Sequence, residues 1–216
     1  MPEHHRLELL AHPGFGSAII EAQLMLYGVP FMRVPVGDVL NDANAQSRVE
    51  QDNPLGQLPT LLVNGSLVMT ESAAITLWLS EEYGTDGMDL APRVDDPSRP
   101  VFLRWLIYWV TSPYPVFTYL DRSKKLVSDA LAKAELENRL KQRLETLIGN
   151  LEHTARSPWF LGDQLTALDV YCAVFSEWTP GREWYSKHAP KLSAIADRVW
   201  NLPSLGPVYE QNFGGR

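Results

Sequence analysis

The sequence predicts two domains of different class: an α/β domain over residues 1–84 and an all-α helical bundle over residues 98–216. Three observations carry this. Strand-like and helix-like patterns alternate in the first 84 residues. An Asn64-Gly65 pair sits between two short apolar runs, the strongest short-range hairpin signal, because that turn needs positive φ at both central residues. The stretch Thr85–Pro97 is rich in Asp, Pro and Gly and reads as a linker, after which helical patterns dominate.

Each element follows from its residues. Arg6–Ala11 reads as a strand, and Ser17–Tyr27 as a helix stopped by Gly28 and Pro30. Pro30–Val36 is a second strand, and Leu40–Asp52 a polar, poorly periodic helix or loop. The hairpin strands flank Asn64-Gly65. Ser72–Tyr83 is a helix with Ile75, Trp78 and Leu79 on one face, ended by Gly84. In the second half, Ser98–Val110 is apolar and aromatic, and Ser112-Pro113-Tyr114-Pro115 must kink or interrupt it. Val127–Thr154 is a long amphipathic helix with Leu136, Leu140, Leu144, Leu147 and Leu151 on one face. Thr166–Trp178 is a buried helix opened by Thr166 and Asp169, the spacing of a capping box, and Pro190–Trp200 is a last helix.

Composition limits the function classes. The net charge is −7 and the hydrophobic content 45%, ample for a core. Residues 1–84 hold three basic residues, Arg6, Arg33 and Arg48, against ten acidic ones, while the remainder is balanced. Nucleic acid and acidic membranes are therefore not expected partners. No apolar run reaches the length of a membrane span. Met1–Arg6 lacks the apolar core of a signal peptide, and the single Cys172 permits no internal disulfide, so a cytoplasmic setting is expected. His4, His5, His153 and His188 lack metal-ligand spacing, so no metal is expected.

The chemistry concentrates in Asn53–Leu61 and Thr70–Ile75. A proline before a strand is a candidate cis bond, and a cis Leu58-Pro59 would leave the Leu58 backbone to meet a peptide-like ligand. The helix start at Ser72 offers N–H groups and a positive dipole end, suited to a carboxylate. The pair Gln57-Leu58-Pro59 and Glu71-Ser72, at this spacing, resembles the glutathione site of cytosolic glutathione transferases. The β-α-β-α-β-β-α order is then the thioredoxin-like half of that family, and Phe160–Asp163 with the Thr166–Asp169 box resembles the folding motif of its helical half.

The resemblance implies a transferase in which the glutathione thiolate attacks a small apolar electrophile, with glutathione as co-substrate and a homodimer as the assembly. Glutathione would meet Phe15, Gln57, Leu58, Pro59, Glu71 and Ser72. Family members carry a Tyr, Ser or Cys between the first strand and helix, where this chain has His12-Pro13-Gly14-Phe15-Gly16-Ser17. Counting back from Gly28 places the beta-class cysteine at Gly16, so that cysteine is absent, and the zeta-type Ser-Ser-Cys is absent too. Ser17 is the remaining hydroxyl, as thiolate donor or as plain helix cap, and His12 is a base or donor. Lowering a thiol pKa by two units takes roughly 2.7 kcal/mol, within reach of one hydroxyl and a few N–H groups.

Tyr114 and Tyr119 would line the electrophile pocket, whereas Trp105, Tyr108 and Trp109 read as core. Arg33 and Arg48 are candidates for the glycine carboxylate, with solvated surface arginine as the plainer reading. Cys172 reads as buried and inert. Two other functions share this pattern: a non-catalytic interaction protein that keeps the fold, and a glutathione-dependent peroxidase, lyase or isomerase using the same thiolate.

Overall fold

The computed structural model describes residues 5–85 and 87–214; His4, and Asp86 within the linker, lie outside the described residues. The chain divides into two compact units. One holds the residues up to Ala91 together with those from Trp200 on, and the other spans Pro92–Val199.

The first unit contains β1 (Leu7–Ala11), α1 (Ser17–Leu26), β2 (Met32–Pro35), α2 (Ala43–Glu50), β3 (Thr60–Val63), β4 (Leu67–Met69) and α3 (Ser72–Tyr83). The sheet order is β2-β1-β3-β4. β1 runs parallel to β2, through the α1 crossover that parallel pairing requires, and antiparallel to β3. Leu7, Leu9, Leu10 and Ala11 are all buried, as expected of an inner strand covered on both faces. The β3–β4 turn has Asn64 at φ 54° and Gly65 at φ 69°, and the Ser66 N–H closes it on the Val63 carbonyl at 3.2 Å.

α2 settles the ambiguous polar segment as a helix. Asp42 caps it by accepting from the Asn44 N–H at 2.9 Å, and only Ala45 and Val49 are buried. α1 and α3 are joined by Gln23, whose amide donates to the Thr76 hydroxyl at 2.9 Å. α3 stops at Gly84 for a different reason from a left-handed cap. Its φ is −64°, and a Cβ there would run into the Ser80 carbonyl and, at 2.8 Å, the Asp89 carboxylate. Asp89 in turn accepts from the Ser80 hydroxyl at 2.6 Å and the Ala91 N–H at 3.1 Å, fastening the start of the linker to α3.

The second unit contains α4 (Arg99–Thr111), α5 (Pro113–Asp121), α6 (Ser123–Leu126), α7 (Ala130–Thr154), α8 (Ala167–Ser176), α9 (Arg182–His188) and α10 (Pro190–Trp200), whose last residue groups with the first unit. The Ser112-Pro113 break separates α4 from α5, since proline supplies no N–H to the preceding turn. Every residue of α8 is buried. Around it Trp109, Phe117 and Phe175 pack edge to face, with Phe175 at 5.2 Å from Trp109 and 5.0 Å from Phe117. Cys172 is fully buried, its thiol pushed well up by burial and donating to the Leu192 carbonyl at 3.4 Å.

The capping box forms as the spacing predicts, and Asp169 does more than cap. Its carboxylate accepts from the Thr166 N–H at 2.7 Å, the Thr166 hydroxyl at 3.1 Å and the distant Phe160 N–H at 2.6 Å.

The chain's end departs from the expected domain bounds. After a 3-10 turn at Pro203–Leu205, helix α11 (Gly206–Phe213) groups with the α/β unit and not with the helical bundle. Its polar face makes a buried contact with α1, described below, and Trp200, Tyr209 and Phe213 form an aromatic cluster with centroids 5.3–5.9 Å apart.

Candidate functional site

The β1–α1 turn is built on the His12 carbonyl. It accepts from the Phe15 N–H at 3.2 Å and from the Ser17 hydroxyl at 3.3 Å. The His12 N–H donates back to the Ser17 Oγ at 3.4 Å. Ser17 is fully buried and stands inside α1, with Gly16 at the cap position and no side-chain cap bond. This corrects the cap reading of Ser17: its hydroxyl does not cap its helix, and both of its bonds tie the turn to the end of β1. Ser17→Ala is expected to cost about 1 kcal/mol or less of stability, since both bonds are long, and to leave any bound thiol's titration unmoved. Chemical denaturation and an ultraviolet pH titration measure the two effects; a raised thiol pKa would restore Ser17 as a donor.

His12 is half-buried. Its Nδ1 lies 2.9 Å from the Val36 carbonyl, which can only accept, so Nδ1 carries a proton. In the neutral ring this leaves Nε2 as the basic nitrogen. Phe15 meets the His12 ring edge-on at 4.7 Å and packs on the apolar cluster of Leu10, Val36, Val39, Ala45, Val49 and Leu58. Asp38 follows β2, its carboxyl held below the usual range by the Asn41 amide first and by His12 last.

The Asn53–Thr60 turn faces β1 across the sheet. Leu58-Pro59 is cis, as its sequence context predicts. Leu10 pairs with Thr60, and continuing that register brings Leu58 level with His12. The turn is organised by Asn53, buried at its base. The Asn53 amide donates to the Gln57 carbonyl at 2.9 Å and to the Thr60 hydroxyl at 3.2 Å, while Thr60 donates to the same Gln57 carbonyl at 2.9 Å. Asn53 and Thr60 went unassigned in the sequence reading. The signal for Asn53 was present: an Asn opening Asn-Pro-Leu-Gly is a residue that bonds its own turn.

Glu71 and Ser72 open α3. Glu71 has φ 61° and ψ 102°, a conformation that an L residue holds at a cost of about 1–3 kcal/mol. Its side chain is exposed, and Ser72 is buried to 5% exposure. The Ser72 hydroxyl makes no hydrogen bond among the described residues, and α3 has no side-chain cap. Its first-turn N–H groups have no acceptor within the helix.

Arg48 is exposed and paired with Asp52 at 2.7 Å, the plainer of its two readings. Arg33 is half-buried rather than a solvated surface charge: its Nε donates to buried Glu21 at 3.4 Å. Tyr114 and Tyr119 belong to α5 in the second unit. Tyr114 packs its ring on Phe175 at 5.1 Å and Trp178 at 5.5 Å, while Tyr119 is half exposed. Trp105 and Trp109 are buried, as the core reading has it. Among the described residues no helix is long and apolar enough to cross a membrane, and no cluster of His, Cys, Asp and Glu has the makings of a metal site.

Comparison with known proteins gives this arrangement a class. Residues 19–82 match the family model of the glutathione S-transferase N-terminal domain, and residues 111–210 that of the C-terminal domain. The chain belongs to the glutathione S-transferase family. It is 34% identical over 200 residues to the uncharacterized GST-like protein YncG of Escherichia coli K12, covering 93% of this chain and 95% of the relative. It is 31% identical over 194 residues to glutathione S-transferase 3 of Zea mays, covering 85% and 82%. Among solved structures, a glutathione transferase homologue from Sulfitobacter with bound glutathione superposes with a TM-score of 0.81 at 18% identity, covering 95% of this chain and 97% of that one. The thioredoxin-like first half and helical second half are thus those of this family.

Proposed function

We propose that this chain binds glutathione on its α/β unit and ionises the thiol for attack on a small apolar electrophile. The observation that carries the reading is the Ser72 hydroxyl: on a residue only 5% exposed, without a hydrogen bond among the described residues, and beside the strained Glu71 at the N-terminus of α3. A helix start with an unused hydroxyl suits the α-carboxylate of the γ-glutamyl group, and the exposed Glu71 carboxylate suits its ammonium. The cysteinyl part is assigned to the Gln57-Leu58-Pro59 turn, level with His12. Relatives and structural neighbours named as glutathione transferases, one of them crystallised with glutathione, support the ligand's identity. A homodimer and a cytoplasmic setting belong to the same reading.

With Ser17 turned inward, ionisation falls to His12 and the first turn of α1. The thiol proton passes to His12 Nε2, and the thiolate is held by that imidazolium and by the α1 dipole. The sulfur lone pair then forms the bond to the electrophilic carbon, and the leaving group departs with its bonding electrons.

The test is Ser72→Ala. Glutathione affinity in calorimetry is expected to fall about tenfold, roughly 1.4 kcal/mol, the size of a lost hydrogen bond to a charged group. The unfolding midpoint is expected to stay put, because the hydroxyl supports nothing in its own helix. Unchanged affinity would remove Ser72 from the site.

A further inference from the structure

The Gly14 N–H, at the tip of the β1–α1 turn, donates to the Asn212 Oδ1 of α11 at 3.3 Å. These residues are 198 positions apart in sequence. Asn212 is 3% exposed, and its amide is fully used: Nδ2 donates to Glu21 Oε2 of α1 at 3.1 Å and to the Val208 carbonyl at 2.9 Å. The orientation is therefore fixed. Turned over, the NH2 would face the Gly14 N–H, and the oxygen would face a carboxylate and a carbonyl. Glu21 also accepts from Arg33 Nε of β2 at 3.4 Å. A buried chain of polar contacts thus runs from the turn through α11 and α1 to β2.

The turn needs such an anchor. Phe15 is flanked by Gly14 and Gly16, and glycine gives a backbone the widest freedom. Its internal bonds run to the His12, Phe15 and Gly16 carbonyls and from the His12 N–H to the Ser17 hydroxyl. At Gly14 the tip is bonded to another element through the buried Asn212 side chain. Gly14 lies two residues after His12 and three before the start of α1, the groups to which ionisation is assigned.

We propose that Asn212 is a positioning residue for thiol ionisation: by holding the Gly14 amide, α11 fixes the His12–Ser17 turn against which the thiol loses its proton. The inference rests on the functional reading above. Asparagine is the required residue here. Aspartate would set two carboxylates together, and leucine would take away the oxygen to which the Gly14 N–H donates. Among the described residues, the titratable and charged groups around the turn are His12, Glu21 on α1, Arg33 on β2 and Asp38 after β2.

The experiment titrates the ultraviolet absorbance of bound glutathione thiolate in wild type, Asn212→Leu and Asn212→Ser. Affinity for S-methylglutathione, which has no ionisable thiol, is measured alongside by calorimetry. The bound thiol pKa is expected to rise by about one unit in Asn212→Leu, cutting the thiolate fraction nearly tenfold at a pH well below both values. Asn212→Ser leaves room for a water and shows a smaller rise. S-methylglutathione affinity stays within about twofold, which a general loss of structure would not allow. Coincident titration curves in the folded variants would overturn the proposal. If neither variant folds, hydrogen exchange of the wild-type Gly14 amide decides: protection of about tenfold or more supports the anchor, and exchange at the unprotected rate refutes it. Wild type that fails to bind or ionise glutathione would fell the functional reading itself, an outcome distinct from wild type that ionises it with variants alike.

Discussion

Asp169→Ala lowers the stability of the folded chain by about 3–4 kcal/mol and the unfolding midpoint by roughly 10 °C. The carboxylate is fully buried, and its loss strands three donors: two N–H groups and the Thr166 hydroxyl. Each stranded donor costs about 1–3 kcal/mol, less when neighbours relax together. An isolated cap is worth about 1 kcal/mol. The excess comes from Phe160, which ties the approach loop to the start of α8.

The effect depends on pH. Burial pushes the Asp169 pKa from 3.8 up to about 6, against the pull of its three donors. A carboxyl raised in this way favours its protonated form when folded. Its stabilising share is complete below the unfolded value of about 3.9 and is lost as pH rises through the folded value. The gap between wild type and Asp169→Ala therefore widens by about 2 kcal/mol from pH 7 to pH 4.5. Denaturant unfolding at the two pH values measures it. A gap that narrows on acidification would contradict this account of Asp169, and a collapse of glutathione affinity with stability intact would contradict its structural role.

His12→Asn produces the largest expected change in activity. The asparagine amide can still donate to the Val36 carbonyl, as Nδ1 does at 2.9 Å, but it offers no basic nitrogen. Turnover with an activated aryl halide at pH 7 is expected to fall about 100-fold, the lower range for loss of a general base. S-methylglutathione affinity should stay within about threefold. Activity should recover as pH approaches the free thiol value of about 8.5, where the thiol ionises unaided. A variant with the wild-type pH profile would move the role to the first-turn N–H groups of α1.

Much of this was legible in the residues. Asn64-Gly65 announced its hairpin because only a few residue types tolerate paired positive φ. Thr166 and Asp169 announced their box because both partners lie within one turn. Glu71-Ser72 was readable as a helix start for the same reason of locality, and α3 opens at Ser72. What stayed hidden depends on residues distant in sequence. Ser17 reads as an N-cap until the His12 backbone claims its hydroxyl. Arg33 reads as a surface charge until Glu21 appears beneath it. Nothing near Asn212 in sequence points to Gly14: the sequence predicts no helix after Pro190–Trp200, and α11 at Gly206–Phe213 comes to light only in the fold.

The central claim is that glutathione binds this chain as a thiolate. A pH titration of the ultraviolet absorbance of glutathione bound to the wild-type protein tests it most directly. The account predicts ionisation at least about one unit below the free-thiol value of about 8.5. A bound thiol that titrates with the free one, or saturating protein that leaves the free-thiol curve unchanged, would contradict it.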